Sequence, residues 1–204
     1  NILNKRVTYR AVAEAFNIPA HLLVEAGTGI GKSVAYLVPA IYFAALNGRR
    51  VVVSSNTINL QEQLYAKDIP DLQHILPIPF NAALLKGRNN YLCLRRLQAL
   101  RRTRQLTLEQ VRVAAKLLAW LPQTSTGDRS ELVLFNEDQS TWQLVQAESE
   151  TCLGDRCPHR QQRECFLYRA RSRAERAHLV VVNHALLLAD LVLENRLLPE
   201  YKHV

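Results

Sequence analysis

The chain has 204 residues, 48% of them hydrophobic, with a net charge of +8 and a pI near 9.6. That hydrophobic content excludes wholesale disorder, and the length fits one domain or one domain carrying an insertion. The basic surplus points to a polyanionic partner, while the absence of a membrane-length apolar run or a basic-then-apolar leader argues against a membrane-spanning or secreted chain.

Residues 1–20 read as a loop and a helix, with Val7, Ala11, Val12, Ala15 and Phe16 on a rough helical stripe and Pro19 as the stop. The apolar run 21–25 is expected to be a strand. It leads into Glu25-Ala26-Gly27-Thr28-Gly29-Ile30-Gly31-Lys32-Ser33, and an apolar helix is expected over 33–46. Strand, glycine-rich loop and helix in that order form a phosphate cradle, with backbone N–H groups and the positive helix end facing the ligand. Lys32 would reach the outer phosphates of a nucleoside triphosphate, and the Ser33 hydroxyl would ligate magnesium. The backbone of Ala26 through Ser33 would wrap the phosphates, with Ala26 where the usual pattern has Gly. A Gly-rich turn that binds nothing is the plainer reading, but the Gly-Lys-Ser ending between strand and helix favours the nucleotide site.

Asn47-Gly48 should stop that helix, and Val51-Val52-Val53-Ser54-Ser55 reads as a fully buried strand. Residues 56–64 then start a helix, with Asn59 and Glu62 at capping-box spacing. A third strand is expected at 82–85. Residues 86–177 differ in character. An amphipathic helix is expected at 108–121, a polar turn at 123–128, a polar segment at 138–150 anchored by Trp142 and Val145, and a basic helix at 168–176. Strand character returns at 179–183, followed by a helix at 184–193, and the final residues look like the entry to another strand. Strand–helix alternation at 20–85 and 178–204 argues for a parallel sheet covered on both faces, interrupted by 86–177.

Charge and thiols share that interruption. Residues 86–116 hold nine basic residues against Glu109, and 152–176 hold seven arginines, together 16 of the 26 basic residues. The four cysteines are Cys93, then Cys152 after 58 residues, Cys157 after four more and Cys165 after seven. An ATP-binding protein of the cytosol is not expected to hold them as disulfides. Their spacing leaves an iron–sulfur centre, a zinc site or unconnected buried thiols open.

Taken together, five motifs in order resemble the iron–sulfur DNA helicases of superfamily 2, the XPD-like group, and most closely the bacterial DinG family. The pieces are residues 25–33, residues 51–64, Lys86-Gly-Arg-Asn-Asn-Tyr-Leu-Cys93, the three later cysteines, and Leu179-Val-Val-Val-Asn-His-Ala-Leu-Leu187. The resemblance implies an α/β, RecA-like first motor domain at 1–85 and 178–204, with a mostly helical iron–sulfur domain inserted at 86–177. Cys93, Cys152, Cys157 and Cys165 would ligate a four-iron, four-sulfur cluster. It also implies a cytoplasmic, nucleoid-associated monomer in DNA repair or replication that uses ATP and magnesium to move 5′ to 3′ along single-stranded DNA and open forks.

Thr57 and Gln63 would touch the translocated strand. Arg88, Arg95, Arg96, Arg101, Arg102, Arg169, Arg171 and Arg173 would track phosphates. Tyr91, Phe166 and Tyr168 would either stack on bases or pack the ligand loops. The family's Asp-Glu-Ala-His motif and second motor domain have no counterpart in the sequence, Arg6 stands near the place of its adenine-reading Gln, and there is no Met. The chain therefore reads as an excerpt with negligible ATP hydrolysis of its own. Other readings are a nucleic-acid-binding metal module with a vestigial P-loop and a small P-loop kinase with a zinc lid.

Overall fold

The structure is a computed structural model describing residues 2–18, 21–25, 27, 31–194 and 197–204, with the side chains of 2–7 outside that description. Along the chain run α1 (Ile2–Asn17), α2 (Lys32–Asn47), β1 (Val51–Ser55), α3 (Ile58–Gln63), a π-helical turn (Leu64–Asp68), α4 (Ile69–Ile75) and β2 (Ala82–Leu84). Then follow α5 (Leu94–Arg102), α6 (Leu108–Trp120), α7 (Gln139–Val145), α8 (Pro158–Gln161), α9 (Phe166–Glu175), β3 (Leu179–Asn183) and α10 (His184–Val192). The chain divides into two compact units, Asn1–Leu85 with Arg173–Val204, and Lys86–Ser172.

The first unit is α/β, built on a parallel sheet in the order β1–β3–β2. Val51 pairs with Leu179 and Ser55 with Asn183, while Ala82 also pairs with Leu179 on the other side. Val51, Val52, Val53 and Leu179 through Val182 are all buried, so side chains on both faces are covered. That is how a parallel strand reads as an unbroken β-branched run. From α2, Leu37 and Ile41 join Val53, Leu64, Ile69, Leu72 and Phe80 in the main core, while Ala40 and Ala44 pack with Val51. The helix passes through Pro39 and ends at Gly48, whose φ of 57° lets its N–H reach the Ala44 carbonyl. A two-residue link then enters β1, so α2 runs back along the sheet. Its amino end, about 22 Å away at 1.5 Å per residue, lies toward the strands' carboxyl ends.

Three sequence expectations change here. Residues 21–25 are not a strand: Leu22, Leu23 and Val24 are exposed, Leu23 at 98%. A strand needs a ladder, and the outer edge of β1 is engaged by His203, whose carbonyl accepts from Val52 N–H at 2.9 Å. The expected entry into a further strand near the end is that single bridge. The cap of α3 is Thr57, whose hydroxyl accepts from Leu60 N–H at 3.2 Å, in place of the Asn59–Glu62 box. The helix begins one residue before Asn59, so Asn59 already sits inside it.

In the second unit, a small bridged ribbon runs through Tyr91–Cys93. Tyr91 bridges Asp128 and Leu92 bridges Gln146; Cys93 N–H donates to Val145 O and Ala147 N–H to Tyr91 O, both at 2.8 Å. Trp142 and Val145 are buried, as their positions in the sequence suggest. α6 opens with a Thr107–Gln110 capping box. Gly127 holds φ of 66°, and a Cβ there would meet the Phe166 ring at 2.2 Å, so only glycine closes this turn over α9. Two buried carboxylates lock the loops. Asp128 pairs with Lys86 Nζ at 2.7 Å, and Ser130 Oγ accepts from the same ammonium at 2.9 Å. Asp138 accepts from Arg112 at 2.6 Å, Lys116 at 3.1 Å and Phe135 N–H at 3.1 Å.

Candidate nucleotide site and thiol centre

Gly31 is the residue before α2, at φ 78° and ψ 37°, the left-handed conformation in which a side chain is strained. Lys32 and Ser33 open the helix, Lys32 exposed and Ser33 half-buried, at the end where the helix dipole is positive. One turn later, Tyr36 hydrogen-bonds Ser33. Burial raises the Tyr36 phenol above its usual value, opposed by that bond and reinforced by Asp68. Gly27 has open space around it. Ala26, Thr28, Gly29 and Ile30 lie outside the described residues. A cavity of about 340 Å³ in the same unit is lined by Arg49, Arg50, Glu175, Arg176 and Lys202. It sits at the amino ends of β1 and β3, the opposite end from Lys32.

At the carboxyl ends, where open parallel sheets take their ligands, Ser54 Oγ and His184 Nδ1 are 2.7 Å apart. Asn183 caps α10 by accepting from Leu186 N–H at 2.9 Å. Beneath Thr57, Gln61 is fully buried. Its Nε2 donates to Leu85 O at 3.1 Å and Val181 O at 3.4 Å, and its Oε1 has no partner. Neither the pairing of Ser54 with His184 nor the inward turn of Gln61 was foreseen from sequence. The only available sign was that Gln61 precedes the buried Leu64 by one helical turn.

The four cysteines are free thiols in the second unit: Cys157 buried, Cys93 and Cys165 half-buried, Cys152 exposed. Burial pushes the Cys165 thiol up, opposed by a backbone hydrogen bond from Tyr168 and reinforced by the charge of Cys93, Cys157 and Cys152. Among the described residues, no three His, Cys, Asp or Glu side chains close around a point that would hold a single ion. The Arg160 guanidinium stacks 3.7 Å from the Tyr168 ring centroid and pairs with Asp155 at 2.8 Å.

The family model for DEAD/DEAH box helicases matches residues 6–97. The chain is 42% identical to ATP-dependent DNA helicase YoaA of Escherichia coli over 93% of its own length and 30% of that protein. It is 44% identical to ATP-dependent helicase DinG of Mycobacterium tuberculosis, covering 94% of this chain and 31% of that one. With 3'-5' exonuclease DinG of Bacillus subtilis the identity is 37%, over 94% and 20% respectively. The chain belongs with the DinG-like helicases. It spans less than a third of the length of these relatives.

In this DinG-like chain the residues expected to meet nucleic acid fall into two groups. Thr57, Gln63, Arg101, Arg102 and Arg173 are exposed, and Arg88 and Arg169 are half-buried. The Arg169 guanidinium lies 5.7 Å from the Phe166 ring centroid. Burial, and next the charge of Arg88, lower the Arg171 pKa, so these two guanidinium groups are neighbours. Arg95 and Arg96 instead turn inward, to backbone carbonyls and Glu148. Of the aromatic candidates, Tyr91 and Phe166 are buried, Tyr91 accepting from Lys86 N–H at 3.0 Å. Tyr168 alone of the three is half-buried. Among the described residues no helix is long and apolar enough to cross a membrane.

Proposed function

We propose that this chain is the ATP-binding and thiol-bearing part of an ATP-dependent DNA helicase that moves 5′ to 3′ on single-stranded DNA and opens forks during repair. The observation that carries the reading is Gly31 at φ 78°, the last residue of the glycine-rich sequence, directly before Lys32 and Ser33 on α2, in a chain 42–44% identical to proteins named as ATP-dependent helicases. Ala26, Gly27, Thr28, Gly29, Ile30 and Gly31 would present their N–H groups to the phosphates. Lys32 would neutralise charge on the outer phosphates, and Ser33 would offer a lone pair to magnesium. Phosphoryl transfer depends on positioning and charge neutralisation, so these groups bind and orient while further residues of a longer protein would complete the site.

In the second unit, Cys93, Cys152, Cys157 and Cys165 would hold a four-iron, four-sulfur cluster. Such a centre spreads its ligands over four metals, so the four thiols need not converge on a single ion. When bound, the cluster supplies cross-links that fix the loops, and electron transfer if it cycles. Arg88, Arg101, Arg102, Arg169, Arg171 and Arg173 would follow the phosphates, and Thr57 and Gln63 would meet the tracked strand.

The test is Lys32→Ala in the full-length protein, read as ATP hydrolysis stimulated by single-stranded DNA and as fork unwinding. Loss of both, with salt-sensitive DNA binding retained, is expected. Unwinding at the parental rate would remove the P-loop from the motor. A parental protein whose DNA binding is indifferent to ATP, and which hydrolyses none, would point to a non-enzymatic binding module.

A further inference from the structure

Arg95 and Arg96 lie on the first turn of α5, directly after Cys93, where an exposed pair of arginines would suit DNA. The structure directs both at the segment leading to Cys152. Arg96 Nε donates to Leu144 O at 2.9 Å and its Nη2 to Gln143 O at 2.8 Å, the last-turn carbonyls of α7. Its Nη1 reaches the Glu148 carboxylate and, at 3.3 Å, Thr151 Oγ1. Arg95 Nη2 donates to the Thr151 carbonyl, one residue before Cys152.

Last-turn carbonyls have no partner within their own helix, and a cation there also meets the negative dipole end. A planar guanidinium with donors in a fixed fork can serve two carbonyls, a carboxylate and a hydroxyl together, whereas a lysine ammonium is a single point. Residues 147–152 have little regular structure of their own, apart from a turn in which Cys152 N–H reaches Ser149 O at 3.3 Å. Cys152 is thus an exposed thiol on a loop that backbone bonds tie to the Cys93 segment only at its start, at Gln146 and Ala147, and that these two side chains tie at Glu148 and Thr151.

We propose that Arg95 and Arg96 are positioning residues for the thiol centre: they hold the loop carrying Cys152 against the helix that begins after Cys93. This rests on the reading of the four cysteines as cluster ligands. It also takes Arg95 and Arg96 out of the DNA path and leaves that role on the same helix to Arg101 and Arg102.

The experiment compares full-length parental protein with Arg95→Ala, Arg96→Ala, Arg96→Lys and Arg101→Ala, purified without oxygen. Iron and sulfide per chain, the visible absorption of the centre and the rate of iron loss to a chelator are measured with far-ultraviolet circular dichroism as the control. Arg96→Ala should lose iron about 10–100-fold faster, the scale seen when a partner of a metal ligand is removed. Arg96→Lys should not restore retention, and Arg95→Ala should be intermediate. Arg101→Ala should keep parental iron and bind single-stranded DNA more weakly. Parental iron content and release in both Arg96→Ala and Arg95→Ala would overturn the proposal. If the parental protein carries no iron or sulfide, the cluster reading fails, and oxidative cross-linking of Cys93 to Cys152 decides the clamp alone: a lower yield in Arg96→Ala supports it, an unchanged yield rejects it.

Discussion

β1 and β3 bury side chains on both faces, and their core is made of Val, Leu, Ile and Phe. Residues 86–172 also have apolar anchors, Leu92, Leu117, Trp142 and Phe166 among them, but their loops are fixed by buried charge: Lys86 with Asp128, Asp138 with Arg112 and Lys116, and Arg96 with the end of α7. The difference matters because apolar burial is non-directional and tolerates small shifts, while hydrogen-bonded charges fix atoms at defined distances. A sheet that presents a phosphate loop gains from the first. A set of thiols from distant parts of the chain needs the second if it is to serve one centre.

Metal removal should give the largest contrast. Oxidation and chelation of the full-length protein should lower amide-exchange protection at 91–93 and 145–147 by orders of magnitude while β1 and β3 keep theirs. Equal change in both regions would break the distinction. Next in size, Lys86→Met leaves Asp128 buried without its counter-charge and should cost about 3–5 kcal/mol in a thermal or denaturant melt. Adding Asp128→Leu should recover much of that loss, and additive losses would show that the pair is not coupled.

Gly127→Ala and Leu179→Ala sharpen the comparison at similar cost. The first combines left-handed backbone strain with a ring clash, about 2–5 kcal/mol together. The second opens a cavity in the sheet core, also about 2–5 kcal/mol. Only Gly127→Ala should lower iron content, because Phe166 adjoins Cys165.

Titration gives the smallest effects, with opposite signs in the two regions. Burial would raise the Asp138 carboxyl, but the Phe135 N–H, Lys116 and Arg112 outweigh it and hold the group below its ordinary value of 3.8. Its contribution is therefore present above that value and is lost as pH falls through the folded one. Tyr201 in the first unit is pushed up to about 12 by burial and by Asp190. Its contribution is present below 10 and is lost as pH rises toward 12. Asp138→Asn should flatten the acid limb of a stability–pH profile and Tyr201→Phe the alkaline limb; unchanged limbs would contradict these assignments.

The sheet was legible in the sequence because 51–55 and 179–183 are β-branched runs of strand length, and the helix at 108–120 because its apolar period is regular. Residues 21–25 were misread because an apolar run carries no information about whether a ladder partner exists. The cap of α3 was misplaced because Asn56, Thr57 and Asn59 offer competing oxygens within four residues, and only backbone geometry selects one. Lys32 and Ser33 stand out in the sequence through spacing that phosphate chemistry dictates, and the structure puts both at the start of α2. The inward turn of Arg95 and Arg96 was hidden, since an arginine beside a cysteine reads the same whether it faces phosphate or a helix end.

The central claim is that this DinG-like chain joins a nucleotide loop to a four-thiolate iron–sulfur centre. Its most direct test is the iron, acid-labile sulfide and zinc content of the full-length protein purified without oxygen. About four irons and four sulfides per chain are expected, the content of one four-cysteine cluster, falling on Cys93→Ser. Stoichiometric zinc without sulfide, or no metal in a protein that still unwinds DNA, would contradict it.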